Sequence, residues 1–236
     1  MSDEELPGPS GPPVGVLDRG LFLLHLFTLD RNRLYLRELS DLSGLDKATT
    51  LRALKSLVKW GFLERHGDGS YSPGPANLRL AAIFRATSNL MVRIDRPLTA
   101  ISERVGKSAS FFTRSDGSRV CLGRSRKNIY HTDYVELGTS VPLDHGGSAA
   151  RMILAHTGDE SPQSAAVRDQ GFAISKGERL RHFISISFPV LDVDESFLGA
   201  LTLAGLSVEV SEEDLRRDAV VVREELIRHG FLTSDP

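Results

Sequence analysis

The sequence predicts an α+β protein with a small helical domain at the N-terminus and a larger domain built on an antiparallel sheet. At 236 residues, the chain has room for two hydrophobic cores. Apolar residues recur every three or four positions over the first third of the chain, as they do in amphipathic helices. Further on, strand-like runs follow one another across short turns, which favours an antiparallel sheet over a βαβ fold.

Composition limits the classes of protein that the chain can represent. Hydrophobic residues make up 40% and charged residues 25%, which is typical of globular proteins. The formal net charge is -2, so a nucleic-acid site would have to be a local surface. The single cysteine excludes an internal disulfide and fits the cytoplasm. The acidic, Gly/Pro-rich residues 1–13 predict a disordered arm, and the apolar run 21–29 is too short to span a membrane.

The N-terminal pattern predicts three helices and a hairpin. Apolar spacing indicates a first helix over 17–29 and a second over 36–43, which ends at Gly44. Asp46 is a suitable cap for a third helix that ends at the Trp-Gly pair after Lys59. The Gly-Asp-Gly turn at 67–69 then separates two strand-like runs. This order predicts a winged helix-turn-helix domain.

The remaining elements follow a break at Pro73-Gly74-Pro75. We expect the winged domain to cover 14–75, a connector and dimerisation helix 76–92, and a second domain 93–236. In the second domain, the pattern predicts a helix over 97–105, a hairpin of 109–114 with 119–123, a helix over 148–156, strands over 183–190 and 197–206, and a terminal helix over 211–229.

The third helix has a polar face that suits DNA. Its apolar residues Leu51, Leu54, Leu57 and Val58 are expected to face inward, opposite a polar face without an acid. Between positions 47 and 66, five cations and one acid give a local charge of +4. An ordinary solvated face would carry similar charges, but the helix-turn-helix and wing favour DNA. We expect contacts to the groove from Lys47, Thr49, Thr50, Arg52 and Ser56, and contacts to phosphates from Arg65 and His66.

These segments resemble the IclR-type bacterial transcriptional regulators. The resemblance is carried by residues 17–20, 44–54, 61–63 and 69–74, and in the second domain by 188–192 with 199–205. It implies a winged-helix domain, a connector helix that contributes to dimerisation, and a GAF-like α/β effector-binding domain. Effectors of this family are small metabolites, often organic or aromatic acids. The family often has a Gly where Ala150 stands and a carboxylate where Ser175 stands, so effector identity stays open.

The same resemblance implies where the effector binds. The small residues 147–150 match a helix N-terminus that lines the pocket, where backbone N–H groups favour an anion. Ser148 is equally compatible with a simple helix cap. We expect the pocket to be formed by Cys121, Ser148, Ala149, Ser185, Ser187 and Thr202.

Motifs of enzymes and metal sites do not occur in the sequence. The seven histidines form no HExxH or HxH pattern, and there is no paired cysteine, nucleophile elbow or phosphate-binding loop. The polar pairs His131 with Asp133 and Asp144 with His145 are interpreted as surface hydrogen bonding. The sequence thus predicts that the protein is not an enzyme and has no cofactor. It predicts a homodimer, or a dimer of dimers, that binds double-stranded operator DNA. The position of its wings is expected to respond to a small-molecule effector. The alternative is an enzyme or metabolite-binding module whose winged domain contacts proteins.

Overall fold

The computed structural model describes residues 13–125 and 135–233. The predicted arm, apart from its last residue, and the pair His131 with Asp133 lie outside the described residues. The chain divides into two compact units, with the division between Thr87 and Ser88. None of the helices in the described ranges is long and apolar enough to cross a membrane.

The first unit is a winged helix-turn-helix, as predicted. Its elements are α1 Val16–His25, α2 Leu36–Ser43, α3 Lys47–Lys59, β1 Leu63–Arg65, β2 Tyr71–Pro73 and α4 Pro75–Thr87. Strands β1 and β2 are antiparallel and form the wing. Leucines from all three N-terminal helices pack with Leu63 and Tyr71 of the wing into one core. The wing is therefore held to the helices by shared hydrophobic burial.

The turn between α2 and α3 depends on two local features. Gly44 ends α2 with a φ of 67°, in the left-handed region that favours glycine. Asp46 then caps α3, because its Oδ1 accepts the backbone N–H of Thr49 at 2.9 Å. The same hydrogen bond lowers the pKa of Asp46 below its usual value. Sequence and structure agree at this turn because both signals act over a few neighbouring residues.

The two helices that follow have bounds different from those predicted. Helix α4 ends at Thr87, and α5 extends over Asn89–Val105 with Pro97 inside it. Ser88 begins α5, since its Oγ accepts the N–H of Met91 at 3.4 Å. The prediction placed a separate helix over 97–105, closed by Gly106. The helix instead accommodates Pro97, and the predicted connector 76–92 spans the break at Ser88.

The second unit is built on a six-stranded antiparallel sheet, as the fold class predicted. Its strands are β3 Ser108–Ser115, β4 Ser118–Arg124, β5 Ser140–Pro142, β6 Ala173–Lys176, β7 Phe183–Leu191 and β8 Phe197–Leu206, in the spatial order β5-β4-β3-β8-β7-β6. The other helices are α6 Ser148–His156, α7 Pro162–Gln170 and α8 Glu212–Arg228, with a 3-10 turn at Leu143–His145. The sequence predictions did not include the short strands β5 and β6 or the helix α7.

The two faces of this sheet are covered by different helices. Large apolar residues such as Phe111, Ile186 and Leu201 pack against α5 and α8. The alternate residues face α6 and α7, where Phe112 and Ala200 join a second core. Because side chains alternate along a strand, the hydroxyl-bearing residues of β7 and β8 fall on the α6 side. That side of the sheet holds the candidate ligand site.

Candidate nucleic-acid interface and ligand cavity

Helix α3 presents the predicted polar face. Lys47, Arg52 and Ser56 are exposed, and Thr49 is half-buried. Arg52 Nη2 donates to Thr49 Oγ1 at 3.1 Å, and Ser56 Oγ donates to the carbonyl of Arg52 at 3.3 Å. Within the described ranges, no carboxylate is in an ion pair with Arg52. The face therefore offers cations whose charge is not neutralised by the protein, as a DNA-binding surface requires.

Thr50 does not belong to this face, contrary to the prediction. Its side chain is completely buried, and its Oγ1 donates to the carbonyl of Asp46 at 2.9 Å. Thr50 precedes Leu54 by four residues, so both lie on the same side of the helix. The prediction formed the inward face from Leu51, Leu54, Leu57 and Val58 and left Thr50 out of it, whereas Thr50 and Leu54 are the buried residues of the helix. The observed buried face of α3 is rotated slightly from the predicted one, so it includes Thr50.

The two predicted phosphate contacts lie on the wing and differ in their surroundings. Arg65 is exposed on β1. His66 is half-buried, and its Nε2 lies 2.8 Å from Ser72 Oγ, so the ring is already engaged across the hairpin. At the wing tip, Asp68 accepts the hydroxyl of Ser70 at 2.6 Å and its N–H at 2.9 Å, which lowers the pKa of Asp68. Arg65 is thus the better placed of the two for a phosphate.

A cavity of about 100 Å³ opens in the second unit between the sheet, the start of α6 and the segment 177–182. Four of the residues predicted for the pocket line it, namely Ser148, Ala149, Ser185 and Thr202. Ser187 is fully buried directly behind them. Gly147 of the small-residue segment and Ser175 also line it. The lining further includes residues that the sequence did not single out: Ser108, Ser110, Phe112, Arg119, Val135, Glu178, Arg179, Leu180, Phe183 and Ala204.

Four hydroxyl groups form a continuous chain at the base of the cavity. Ser187 Oγ donates to Ser148 Oγ at 2.8 Å, and it lies 2.8 Å from Thr202 Oγ1. Ser148 Oγ in turn lies 2.7 Å from Ser185 Oγ. Each hydroxyl has a single hydrogen, so these groups bring four hydrogens to three hydrogen bonds. The remaining O–H belongs to Ser148 or Ser185, both of which line the cavity, and it can donate to a ligand.

Ser148 is therefore not the cap of α6, the simpler interpretation of its position. The capping position is held by Gly147, at a φ of 94°, and no side chain caps the helix there. Ser148 is the first helical residue, and its hydroxyl bonds to β7 instead.

Cys121 does not line the cavity, contrary to the prediction. It is completely buried and packs among residues of β3, α6 and the turn before α6. Its Sγ lies 3.5 Å from the carbonyl of Gly123. Burial raises the pKa of the Cys121 thiol to about 12. Cys121 is thus a protonated core residue that cannot reach a ligand from this position.

Three charged residues line the cavity, namely Arg119, Glu178 and Arg179, and the sequence did not indicate any of them. Arg119 on β4 is only 4% exposed, and its Nη1 donates to the carbonyl of Gly146 at 2.9 Å. Burial, together with the positive charge of Arg179, lowers the pKa of Arg119 to about 10, so it remains charged at neutral pH. The available signal was the alternation of β4, which puts Arg119 on the same face as the buried Cys121.

The second missed residue is Glu178. Its Oε2 accepts the backbone N–H of Gly147 at 3.0 Å, and its other carboxylate oxygen forms an ion pair with Arg151 on α6. The N-terminus of α6, which we expected to attract an anionic ligand, thus already has a carboxylate of the protein beside it. This contact joins residues far apart in sequence, so no local pattern indicates it.

The described residues contain no cluster of three or more His, Cys, Asp or Glu side chains that could hold a metal ion. The pair Asp144 with His145 lies in the exposed 3-10 turn before α6. Neither residue lines the cavity.

Comparison with known proteins finds similarity to transcriptional regulators. Residues 16–67 match the IclR helix-turn-helix domain. The HTH-type transcriptional regulator XynR of Escherichia coli is 20% identical, over 94% of this chain and 97% of the relative. An IclR transcriptional regulator from a Silicibacter species is 26% identical and superposes with a TM-score of 0.77, covering 91% of this chain and 94% of that one. An IclR homologue from Microbacterium hydrocarbonoxydans, crystallised with 4-hydroxybenzoate, is 20% identical with a TM-score of 0.69, covering 91% of this chain and all of that one.

Proposed function

We propose that this chain is an IclR-type transcriptional regulator, that its α3 helix reads operator DNA, and that its cavity binds a small organic acid that controls this binding. The exposed polar face of α3 is the observation that carries the DNA-binding half of the proposal. The hydroxyl chain and the cation at the cavity carry the effector half.

For DNA, we assign the groove to Lys47, Thr49, Arg52 and Ser56. All four lie on the part of α3 that does not pack into the core. A recognition helix enters the major groove with its N-terminal residues against the base edges, and Lys47 and Thr49 are in the first turn. Arg65, exposed on the wing, is assigned to a backbone phosphate.

For the effector, we propose an organic acid with an apolar or aromatic body. Phe112 and Phe183 supply apolar wall, while Arg119 and the undonated hydroxyl of Ser148 or Ser185 supply polar groups. A few polar groups in an otherwise apolar cavity give a ligand its orientation. The 4-hydroxybenzoate bound by the Microbacterium homologue has this chemistry, with a carboxylate and a hydroxyl on an aromatic ring.

We further propose that the regulator acts as a homodimer, or a dimer of dimers, in the cytoplasm. In the single chain, α4 buries none of its residues, and it exposes four large apolar side chains. These are Leu78, Leu80, Ile83 and Phe84, and their exposed fractions range from 46% to 74%. An apolar surface of this kind is expected to be covered by a partner subunit. Two α3 helices would then read a palindromic site.

We do not assign an enzymatic activity or a cofactor. The hydroxyls of Ser148, Ser185, Ser187 and Thr202 bond to one another, and none of the hydrogen bonds described for them is to a base that would activate one as a nucleophile. Turnover of a metabolite by the purified protein, without any binding to DNA, would favour the alternative of an enzyme with a winged domain.

A selection of genomic fragments on the purified full-length protein tests the DNA half. We expect specific fragments to be retained, with an affinity that falls steeply as salt rises, because cations are released from the phosphates. For the effector half, organic acids are added to the full chain and its melting temperature is followed, since a ligand of the folded state raises it. A protein that retains no fragment, or that no acid stabilises, would contradict the corresponding half.

A further inference from the structure

We propose that Arg119, rather than the N-terminus of α6, receives the carboxylate of the effector and makes the cavity selective for acids. This inference rests on the proposed function, in which the cavity is the effector site. It concerns the part of the cavity where β4, the start of α6 and the segment 177–182 meet.

Arg119 is a buried cation. Only 4% of its surface is exposed, and its one described hydrogen bond goes from Nη1 to the carbonyl of Gly146. In the described ranges no carboxylate is in an ion pair with it, and the neighbouring charge that affects it is another cation, Arg179. A buried charge without a counter-ion is costly, and a guanidinium has several N–H donors to satisfy. An anion bound in the cavity would supply both the charge and the acceptors.

The backbone N–H of Gly147, at the N-terminus of α6, already has an acceptor in the protein. The N–H of Gly147 donates to Glu178 at 3.0 Å, and Arg151 holds the same carboxylate in an ion pair. An effector that used this N–H would have to displace Glu178 and separate it from Arg151. Binding to Arg119 requires neither change, so it is the less costly position for a ligand carboxylate.

The cavity has space for a ligand group beside Arg119. Gly147 has no side chain, and a Cβ there would lie 3.5 Å from Arg119 Nη2 and 4.0 Å from Ser175 Oγ. The bare face of Gly147 is thus bordered by a cation and a neutral hydroxyl, with no acid between them. A planar carboxylate next to Nη2 can make charge-assisted hydrogen bonds with the guanidinium.

These contacts also indicate the class of ligand. Arg119 would hold the carboxylate, and the undonated hydroxyl of Ser148 or Ser185 would donate to an oxygen elsewhere on the molecule. The effector is thus a monocarboxylic acid with a second oxygen acceptor. Its neutral amide should bind much more weakly, because the amide brings no counter-ion to Arg119.

The experiment measures ligand affinity of the full-length protein by calorimetry and thermal shift. The probes are a panel of monocarboxylic acids that includes 4-hydroxybenzoate and pyruvate, each paired with its neutral amide. The variants are Arg119→Gln, which removes the charge, Arg119→Lys, which keeps it, and Glu178→Gln as the matched control at the α6 end. Circular dichroism checks that each variant folds.

We expect the wild type to prefer an acid over its amide. Arg119→Gln should weaken binding of the acid about 10- to 100-fold and abolish this preference, as expected for a charge-assisted contact. Arg119→Lys should keep the preference with a lower affinity, because the bidentate geometry is lost. Glu178→Gln should still prefer the acid. If Arg119→Gln does not fold, Arg119→Lys carries the test. In that variant the affinity for the acid must fall, while the affinity for the amide must stay unchanged.

Two other outcomes are distinguishable. If the wild type binds an acid and Arg119→Gln binds it equally well, or if only Glu178→Gln loses the preference, the role of Arg119 is overturned while the effector cavity stands. If no acid of the panel stabilises the wild type, the proposed effector function is itself overturned, and the assignment of Arg119 with it.

Discussion

Replacing Arg52 by alanine should impair DNA binding without destabilising the fold. The side chain is exposed, and its one described side-chain contact is the 3.1 Å hydrogen bond to Thr49. Surface substitutions of this kind change the free energy of unfolding by about 0.5 kcal/mol or less. If Arg52 reads a base, its loss should weaken operator binding by about 1–3 kcal/mol per half-site, or about 5- to 150-fold.

The two possible contacts of Arg52 differ in their salt dependence. A base contact, when lost, should relax sequence preference at one position and leave binding to random DNA almost unchanged. A phosphate contact, when lost, should weaken both kinds of binding and reduce the slope of log K against log salt by about one per half-site. Fluorescence anisotropy over a salt series, with operator and random duplexes, separates the two.

Thr50→Ala is the matched control, two positions away on the same helix. It removes a buried methyl group and the hydroxyl that donates to the backbone carbonyl of Asp46. That carbonyl still accepts the backbone N–H of residue 50 at 2.9 Å. Since that carbonyl keeps a partner, we expect a loss of roughly 1–2 kcal/mol in stability. The salt slope should not change. The placement of α3 is refuted if Arg52→Ala unfolds the protein. It is also refuted if that variant keeps the operator affinity and the salt slope of the wild type.

Three further predictions concern other sites. Cys121 should resist thiol reagents at pH 8 until the protein is denatured, because its raised pKa keeps it protonated; rapid labelling of the native protein would contradict its burial. Ser187→Ala should lower the free energy of unfolding by about 1–3 kcal/mol, since Ser148 and Thr202 each lose a partner; an unchanged denaturant midpoint would rule out the hydroxyl chain. The pKa of Asp46 is lower in the folded protein than in the unfolded chain. Its carboxylate therefore stabilises the fold when the pH is above the unfolded-state pKa, and this stabilisation is lost as the pH falls through the folded-state pKa. Asp46→Asn, which still caps the helix, should therefore show a weaker fall in melting temperature below about pH 4 than the wild type.

The elements that sequence reasoning placed well are those with local signals. Gly44 and Asp46 mark the turn between α2 and α3 within three residues, and the Gly-rich turn at 67–69 marks the wing. The start of α5 was wrong because two local signals competed. Proline at 97 and serine at 88 can both begin a helix, and only packing against the sheet decides between them.

The site was predictable only in part. Ser148 and Ser185 line the cavity as expected, and the exposed cations of α3 lie where the helical period put them. Arg119 and Glu178 were missed because their environments are made by segments distant in sequence. A charged residue on a strand or a loop is ordinarily solvated. The alternation of β4 therefore puts Arg119 on the same face as Cys121 without showing that a cation there lines a cavity.

By itself, the sequence determined the order of helices and strands, the wing and the polar face of α3, because periodicity, caps and turns act between neighbouring residues. The tertiary structure decided which side of each element is buried. It turned Thr50 into the core and enclosed Cys121 behind the cavity wall. It also placed Glu178 at the N-terminus of α6 and left Arg119 as a buried cation. Burial and charge pairing depend on distances between segments that only the folded chain brings together, so these properties of the ligand site could not be derived from local pattern.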